Sequence, residues 1–338
     1  MALMLLGIES TAHTFGVSVV EAEGNEGRIL SDVKEVYKAK PGSGIEPGEA
    51  AQHHAAVAPG LLARALRAAG TSVKDLAAVA YSAGPGLGPC LRVGATVARA
   101  LGLYYRKPLV PVHHAIGHIE LGCLLTGARN PIVLLVTGGH TAILLFSSGR
   151  WRIFGQTLDI TVGKLFDQFG REVGLSRPEL AGFGGPSIEA QAGRSSAYHE
   201  LPYSVKGNDV SFSGLLTEAL RLWRGGVPLE EVCFSLQETA FAMLAEVVER
   251  ALAFTGLREL LLVGGVAANE RLRAMMQGVA RRYSASCYAI PAQYAGDCGA
   301  QIAWAGALAL ASGMKVKPEE AFVRQAWRID RVAVPWRG

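Results

Sequence analysis

Cysteine and charge are both scarce in this chain, and each scarcity narrows what it can be. Its 338 residues include five cysteines (Cys90, Cys123, Cys233, Cys287, Cys298), an odd number, far apart and without a C-x-x-C pair. That argues against a disulfide framework or a zinc knot and for a reduced, cytoplasmic protein. No apolar run approaches the ~18 residues of a membrane span. The opening MALMLLGIES has no basic leader or cleavage site and reaches Glu9 at once, so it reads as a buried first strand. Charged residues make up 18% of the chain against 50% hydrophobic, which excludes intrinsic disorder and leaves material for a large core. The net charge of +4 permits a nucleic-acid partner without arguing for one.

Glycine is abundant instead. Its 41 residues are about 12% of the chain against a usual ~7%, with no collagen period. The excess points to loops where backbone approaches something closely. Short apolar runs alternate with longer helical patterns, the signature of an α/β fold. Strands are expected near residues 3–9, 15–20, 30–37, 76–82 and 109–112, with helices over 47–69 and 90–105. The order then begins again. Strands are expected near 132–136, 142–146, 151–154, 260–263 and 286–290, with helices over 162–174, 213–223, 229–254, 269–282 and 299–312. Each half opens on a strand–turn–strand unit, which predicts a duplication. The expected subdomains are 1–130 and 131–299, with 300–338 packing back on the first.

The turns carry the chemistry. Gly7–Thr14 contains Glu9 and Thr11, and Thr137-Gly138-Gly139-His140-Thr141 follows the strand that ends at Leu135-Val136. Such turns offer backbone N–H groups and hydroxyls without bulk, which suits a phosphate. A third strand ends in Gly264-Gly265 before a helix opened by Asn269, a residue able to bond to a base or ribose. Three such loops in this order describe the actin-like ATPase and sugar-kinase superfamily, whose two ribonuclease-H-like domains clamp ATP. Members that hydrolyse ATP usually carry an Asp just before the second loop. Here that place holds Leu135, Val136 and Thr137, so the cradle is suited to holding a nucleotide rather than to ordinary phosphoryl transfer.

His114 and His118 stand four apart, on one face of a helix, which is a metal-ligand spacing. Ala115 occupies the place of the glutamate in H-E-x-x-H, which argues against a metalloprotease. Asp297 is a lone acid at the start of the last long helix. It reads either as that helix's cap or as a third ligand, and two His with one Asp suit iron(II) or zinc.

The longest motifs identify a family. GPGLGPCLRVG (84–94), HHAIGHIE (113–120), TGGHT (137–141), VKGNDVSFSGLLTEA (205–219), SLQETAFAMLAEVVERA (235–251), LVGGVAANERLR (262–273) and GDCGAQIA (296–303) occur in sequence. In these the chain resembles the TsaD family of tRNA threonylcarbamoyltransferases, above all its archaeal and eukaryotic branch, the catalytic subunit of the KEOPS complex. The resemblance implies one iron or zinc ion on His114, His118 and Asp297. It also implies nucleotide contacts at Leu135–Gly139, Asp167, Gly185, Glu189 and Asn269. The implied reaction joins threonylcarbamoyl from threonylcarbamoyl-AMP to N6 of the adenosine 3′ of the anticodon, adenosine 37, in tRNAs reading codons that begin with A. The implied partners are tRNA and the KEOPS subunits: a small kinase/ATPase, a dimerising subunit and a regulatory subunit. Related archaeal members carry a Tyr, proposed as a further metal ligand, where Leu135 stands, and an Asn in place of Cys298. The family's Pro-Gly-Gly appears as Phe183-Gly184-Gly185-Pro186, after a longer stretch that includes Arg177-Pro178-Glu179.

Other residues have two readings. His53 and His54 face either a substrate cleft or solvent from an amphipathic helix, and Lys206 and Asp209 flank either a substrate loop or a surface turn. Arg92 and Gly94 follow the 84–89 loop and read as packing first and as a tRNA contact second. Residues 315–338 hold six Lys/Arg against three Asp/Glu, a solvated surface or a phosphate contact, and Trp327 and Trp336 read as packing anchors. Two other functions stay open beside threonylcarbamoyl transfer: an actin-like ATPase or small-molecule kinase, and a nucleotide-binding scaffold subunit.

Overall fold

Strands that are apolar on both faces need cover on both sides, and the chain supplies it twice. The computed structural model describes residues 2–39, 44–175 and 184–337. The first half contains β1 (Leu3–Glu9), β2 (Thr14–Glu23), β3 (Glu26–Val36), α1 (Pro47–Ala69), β4 (Ala78–Gly84), α2 (Gly88–Tyr105), β5 (Leu109–His113) and α3 (His114–Thr126). The second continues with β6 (Ile132–Val136), β7 (Thr141–Ser147), β8 (Arg150–Gln156), α4 (Val162–Glu172), α5 (Gly185–Ala192), β9 (Val205–Lys206), β10 (Asp209–Val210), α6 (Ser213–Arg224) and α7 (Leu229–Thr255). It ends with β11 (Glu259–Val263), α8 (Glu270–Arg282), β12 (Ser286–Ala289), α9 (Ala292–Ala295) and α10 (Gly299–Ala311).

The two five-stranded sheets have the same plan. One runs β3-β2-β1-β4-β5, the other β8-β7-β6-β11-β12. In each, the first strand pairs antiparallel with the second and parallel with the fourth, so the expected duplication is a topological fact. Successive side chains of a strand face opposite sides. Leu6 and Ile8 of β1 therefore enter the core under α1 and α2, while Leu5 enters the core under α10. On β6, Ile132, Leu134 and Val136 pack toward α4 and α7, and Val133 and Leu135 toward α3.

Two close approaches place the site. A Cβ on Gly7 would strike the backbone of Gly299 and Ala303, so only glycine lets α10 lie directly on β1. A Cβ on Gly117 would come within 3.1 Å of the Gln301 carbonyl, so α3 crosses α10 at the turn between His114 and His118. Every residue of α3 from His114 to Gly122 is buried, as expected of a helix held between layers rather than on a surface.

The chain end spans both sheets. Val316 pairs with Leu109, and Arg324 N–H donates to Ala83 O (2.6 Å). Beyond them Ile329, Val332 and Val334 join the apolar layer of α3 and the second sheet. Trp327 packs against His113, as its anchoring role requires. The short α5 and the β9–β10 hairpin are not visible in the periodicity. Arg177, Pro178, Glu179 and Phe183 lie outside the described residues.

Candidate metal and nucleotide site

The site begins where β5 turns directly into α3. His114 opens the helix and His118 follows one turn later, their ring centroids 4.7 Å apart. Asp297 is not the cap of α10. Cys298 holds that position without a side-chain bond, and the Asp297 carboxylate turns away to the histidines. Its Oδ1 lies 3.5 Å from His114 Nε2 and 3.3 Å from His118 Nε2. The Lys34 ammonium steadies this segment by donating to the Asp297 carbonyl (3.2 Å).

These distances fit a metal ion. Ligands at ~2.0–2.2 Å from a tetrahedral centre stand roughly 3.4 Å apart. The three ligand atoms all lie within 4.8 Å of one another, with His114 and His118 buried. His114 Nδ1 sits 3.0 Å from Glu9 Oε2, which fixes the Nδ1–H tautomer and leaves the Nε2 lone pair facing Asp297. Gln301 Nε2 is 3.1 Å from the same Nδ1 and 3.4 Å from Glu9 Oε2. Glu9, assigned above to the nucleotide cradle, is wholly buried and orients His114, while Thr11 N–H donates to Glu9 Oε1 (2.6 Å).

The electrostatics agree with a cation site. Burial alone would push His114 down, but Glu9 and Asp297 outweigh it and raise it to about 9. His118 is lowered by burial and by the neighbouring His114 charge, so one imidazolium forms without the ion rather than two. Burial works against ionised Asp297, yet His114 and His118 hold it well below the usual carboxylate range. Two further histidines, His13 and His140, border the cluster. The His140 ring lies 6.5 Å from that of His114 at an interplanar angle of 29°. Burial and then the charges of His114 and His118 push His140 down to about 4. Neither was assigned a role from sequence, because a lone His in a Gly-rich turn carries no spacing signal.

His140 also joins the two parts of the site, since it ends the Thr137–His140 turn. There Thr137 Oγ1 accepts from Gly139 N–H (3.0 Å) and His140 N–H (2.8 Å), so two amides expected to face a phosphate turn inward. Leu135 and Val136 bury their side chains in the two cores flanking β6, leaving only backbone near the turn, and Leu135 supplies no metal donor. Gly264, at φ +98°, is pressed against Val136 O and Thr137, which brings the third loop beside the second. A Cβ on Gly138, Gly185 or Gly265 would meet nothing within 4 Å, so these glycines border open space.

Asp167 Oδ1 accepts from Gly184 N–H (2.9 Å) and so sets the start of α5, and burial raises its carboxyl to about 6. Glu189 accepts from Glu270 N–H (2.8 Å) at the start of α8. Asn269 caps α8 by accepting from Leu272 N–H and donates to Gln237 Oε1 (2.9 Å), which leaves one amide N–H for a ligand. His54 is buried on α1 with Nε2 3.1 Å from Ala12 O, a structural position. Asp209 accepts from Gln156 N–H (2.9 Å) in the β9–β10 hairpin. Burial pushes the Cys90, Cys123 and Cys287 thiols up to about 11, Cys233 to about 12 and Cys298 higher still, so none is a ready nucleophile.

Two α/β halves with the same five-strand order define an actin-like ATPase and sugar-kinase fold. Solved structures share it. HypF from T. kodakarensis superposes with a TM-score of 0.63 at 13% identity, covering 95% of this chain and 49% of that one, so this chain spans about half its length. The activator of 2-hydroxyisocaproyl-CoA dehydratase from Clostridium difficile, solved with bound ADPNP, matches at a TM-score of 0.51 and 13% identity, covering 93% and 97%. The TsaD family, described as tRNA N6-adenosine threonylcarbamoyltransferase, matches residues 28–304. A relative of that name from Caldivirga maquilingensis is 51% identical over 99% of this chain and 98% of its own. The chain belongs to the TsaD family of transferases. Among the described residues no helix is long and apolar enough to cross a membrane.

Proposed function

We propose that this protein transfers the threonylcarbamoyl group of threonylcarbamoyl-AMP to N6 of adenosine 37 in tRNAs reading codons that begin with A, releasing AMP. The observation that carries the proposal is the contact of His140, at the end of the Thr137–Gly139 turn, with His114 of the His114–His118–Asp297 cluster. The ion ligands and the glycines that border open space, Gly138 and Gly265, then lie on one side of the molecule's two halves. In this reading the two jaws are residues 1–130 with 300–338, and 131–299. His114, His118 and Asp297 hold one iron(II) or zinc ion, which supplies Lewis acidity toward the carbamoyl carbonyl. Glu9, Thr11 and Gln301 orient His114. The backbone of Leu135–Gly139, with Gly185, Gly264 and Gly265, borders the adenylate. Asp167 and Glu189 position the starts of α5 and α8, and Asn269 turns its free N–H toward the ribose.

The attacking amine belongs to the tRNA and the leaving group is AMP, so the chemistry needs no protein nucleophile, in keeping with the raised thiols. The protein works in the cytoplasm as the catalytic subunit of a KEOPS-type complex with a small kinase/ATPase, a dimerising subunit and a regulatory subunit. The test is reconstitution with those partners, a threonylcarbamoyl-AMP synthase, threonine, bicarbonate, ATP and tRNA. The expected product is threonylcarbamoyladenosine at position 37. No modified nucleoside, in a system where another family member works, overturns the proposal.

A further inference from the structure

We propose that His140 is a fourth protein ligand of the metal ion, delivered from the second sheet across the cleft. This inference rests on the ion site of the preceding proposal. Three protein donors, His114, His118 and Asp297, come from α3 and the segment before α10, both packed around the first sheet's inner layer. They leave coordination positions open on the side facing the second sheet. His140 stands on that side, at the end of the β6–β7 turn, and its two ring nitrogens have no hydrogen-bond partner among the described residues.

The His140 ring stands about 1–2 Å beyond ligating distance. An imidazole centroid lies roughly 3.2 Å from an ion bound at ~2.1 Å, so two rings sharing an ion have centroids about 4.5 Å apart at neighbouring octahedral positions and about 5–5.5 Å apart at tetrahedral ones. The His114 and His140 centroids are 6.5 Å apart, and the rings lie within 29° of parallel. Rotation of the His140 side chain that moves its ring by about 1–2 Å closes that gap, while the backbone of the turn keeps its bonds to Thr137 and Thr161. An octahedral ion with four protein donors keeps two positions for substrate oxygen. His140 ligation then ties the turn of the second sheet to the ion held by α3 and the segment before α10.

The test loads the apo full-length protein with cobalt(II) and reads absorption and affinity. His140→Cys is expected to give a thiolate-to-cobalt charge-transfer band that the parent protein lacks. His140→Ala is expected to lose at least about tenfold in cobalt affinity, since removing even an outer partner of a ligand costs ~10–100-fold. Far-UV and near-UV circular dichroism of both variants should match the parent. Stoichiometric cobalt in His140→Cys without the new band, or unchanged affinity in His140→Ala, overturns the ligand role and leaves the three-residue site intact. Cobalt retained at parental affinity by His114→Ala removes the site itself, and the inference with it.

Discussion

Replacing Arg337 by Met strands a buried carboxylate on the helix that carries both histidines. The guanidinium donates to the two oxygens of Glu120 at 2.7 and 2.8 Å, where the side chains are 11% and 4% exposed. It also reaches Arg129 O (3.0 Å) and Cys123 Sγ (2.9 Å) and lies 5.0 Å from the Trp151 ring. Glu120 sits on α3 two residues beyond His118, so this pair fastens the chain end to the helix that bears His114 and His118. An exposed pair would contribute about 0–1 kcal/mol. Here, removing one partner leaves an uncompensated charge, at a cost of about 3–5 kcal/mol. For a 338-residue chain that lowers Tm by roughly 4–7 °C, from an unfolding entropy near 2.1 cal/mol/K per residue. Thermal unfolding followed by circular dichroism measures it. The double variant Glu120→Leu/Arg337→Met carries no stranded charge and should recover most of the loss. A single-variant shift under about 1 °C, or a double variant no better than the single, refutes the reasoning.

Glu9→Gln should weaken metal binding by about 10–100-fold, read by competition with a chromogenic chelator, because it removes the carboxylate that orients His114; parental affinity would contradict that role. His54 is wholly buried, and burial pushes it down to about 4 against the opposing Ala12 contact. The unfolded chain therefore takes up a proton near pH 6.5 that the fold refuses until about pH 4. Stability falls as pH drops through that window, by up to about 3 kcal/mol from this residue. Urea midpoints should show a flatter acid limb in His54→Phe, and an identical limb would falsify the assignment. Gly264→Ala forces a Cβ against Val136 O and Thr137 at φ +98°. It should cost about 1–3 kcal/mol in stability and most of the AMP affinity measured by calorimetry; an unaltered titration places the nucleotide elsewhere.

Much of this architecture was legible because local rules govern it. Continuous apolar runs marked β1 and β6, and i, i+4 spacing put His114 and His118 on one helix face before any contact was known. Asp297 had a local alternative, the cap of α10, and only folding decided against it. The orienting contacts were illegible in principle. Glu9 meets His114 across 105 positions and Gln301 meets Glu9 across 292, distances over which no periodicity operates. Gly117 reads locally as a weak helix former, yet it lets α3 cross α10 closely. The resemblance put Leu135 and Val136 among the nucleotide contacts, and β alternation sends both side chains into cores, so only their backbone is left to make one.

The most direct measurement is anomalous diffraction at the iron and zinc edges from crystals holding a non-reactive threonylcarbamoyl-AMP analogue. A single peak shared by His114, His118 and Asp297, with the adenylate lying between the Thr137–Gly139 turn and Gly264-Gly265, is the predicted result. An ion bound elsewhere, or an analogue seated away from those turns, contradicts the account.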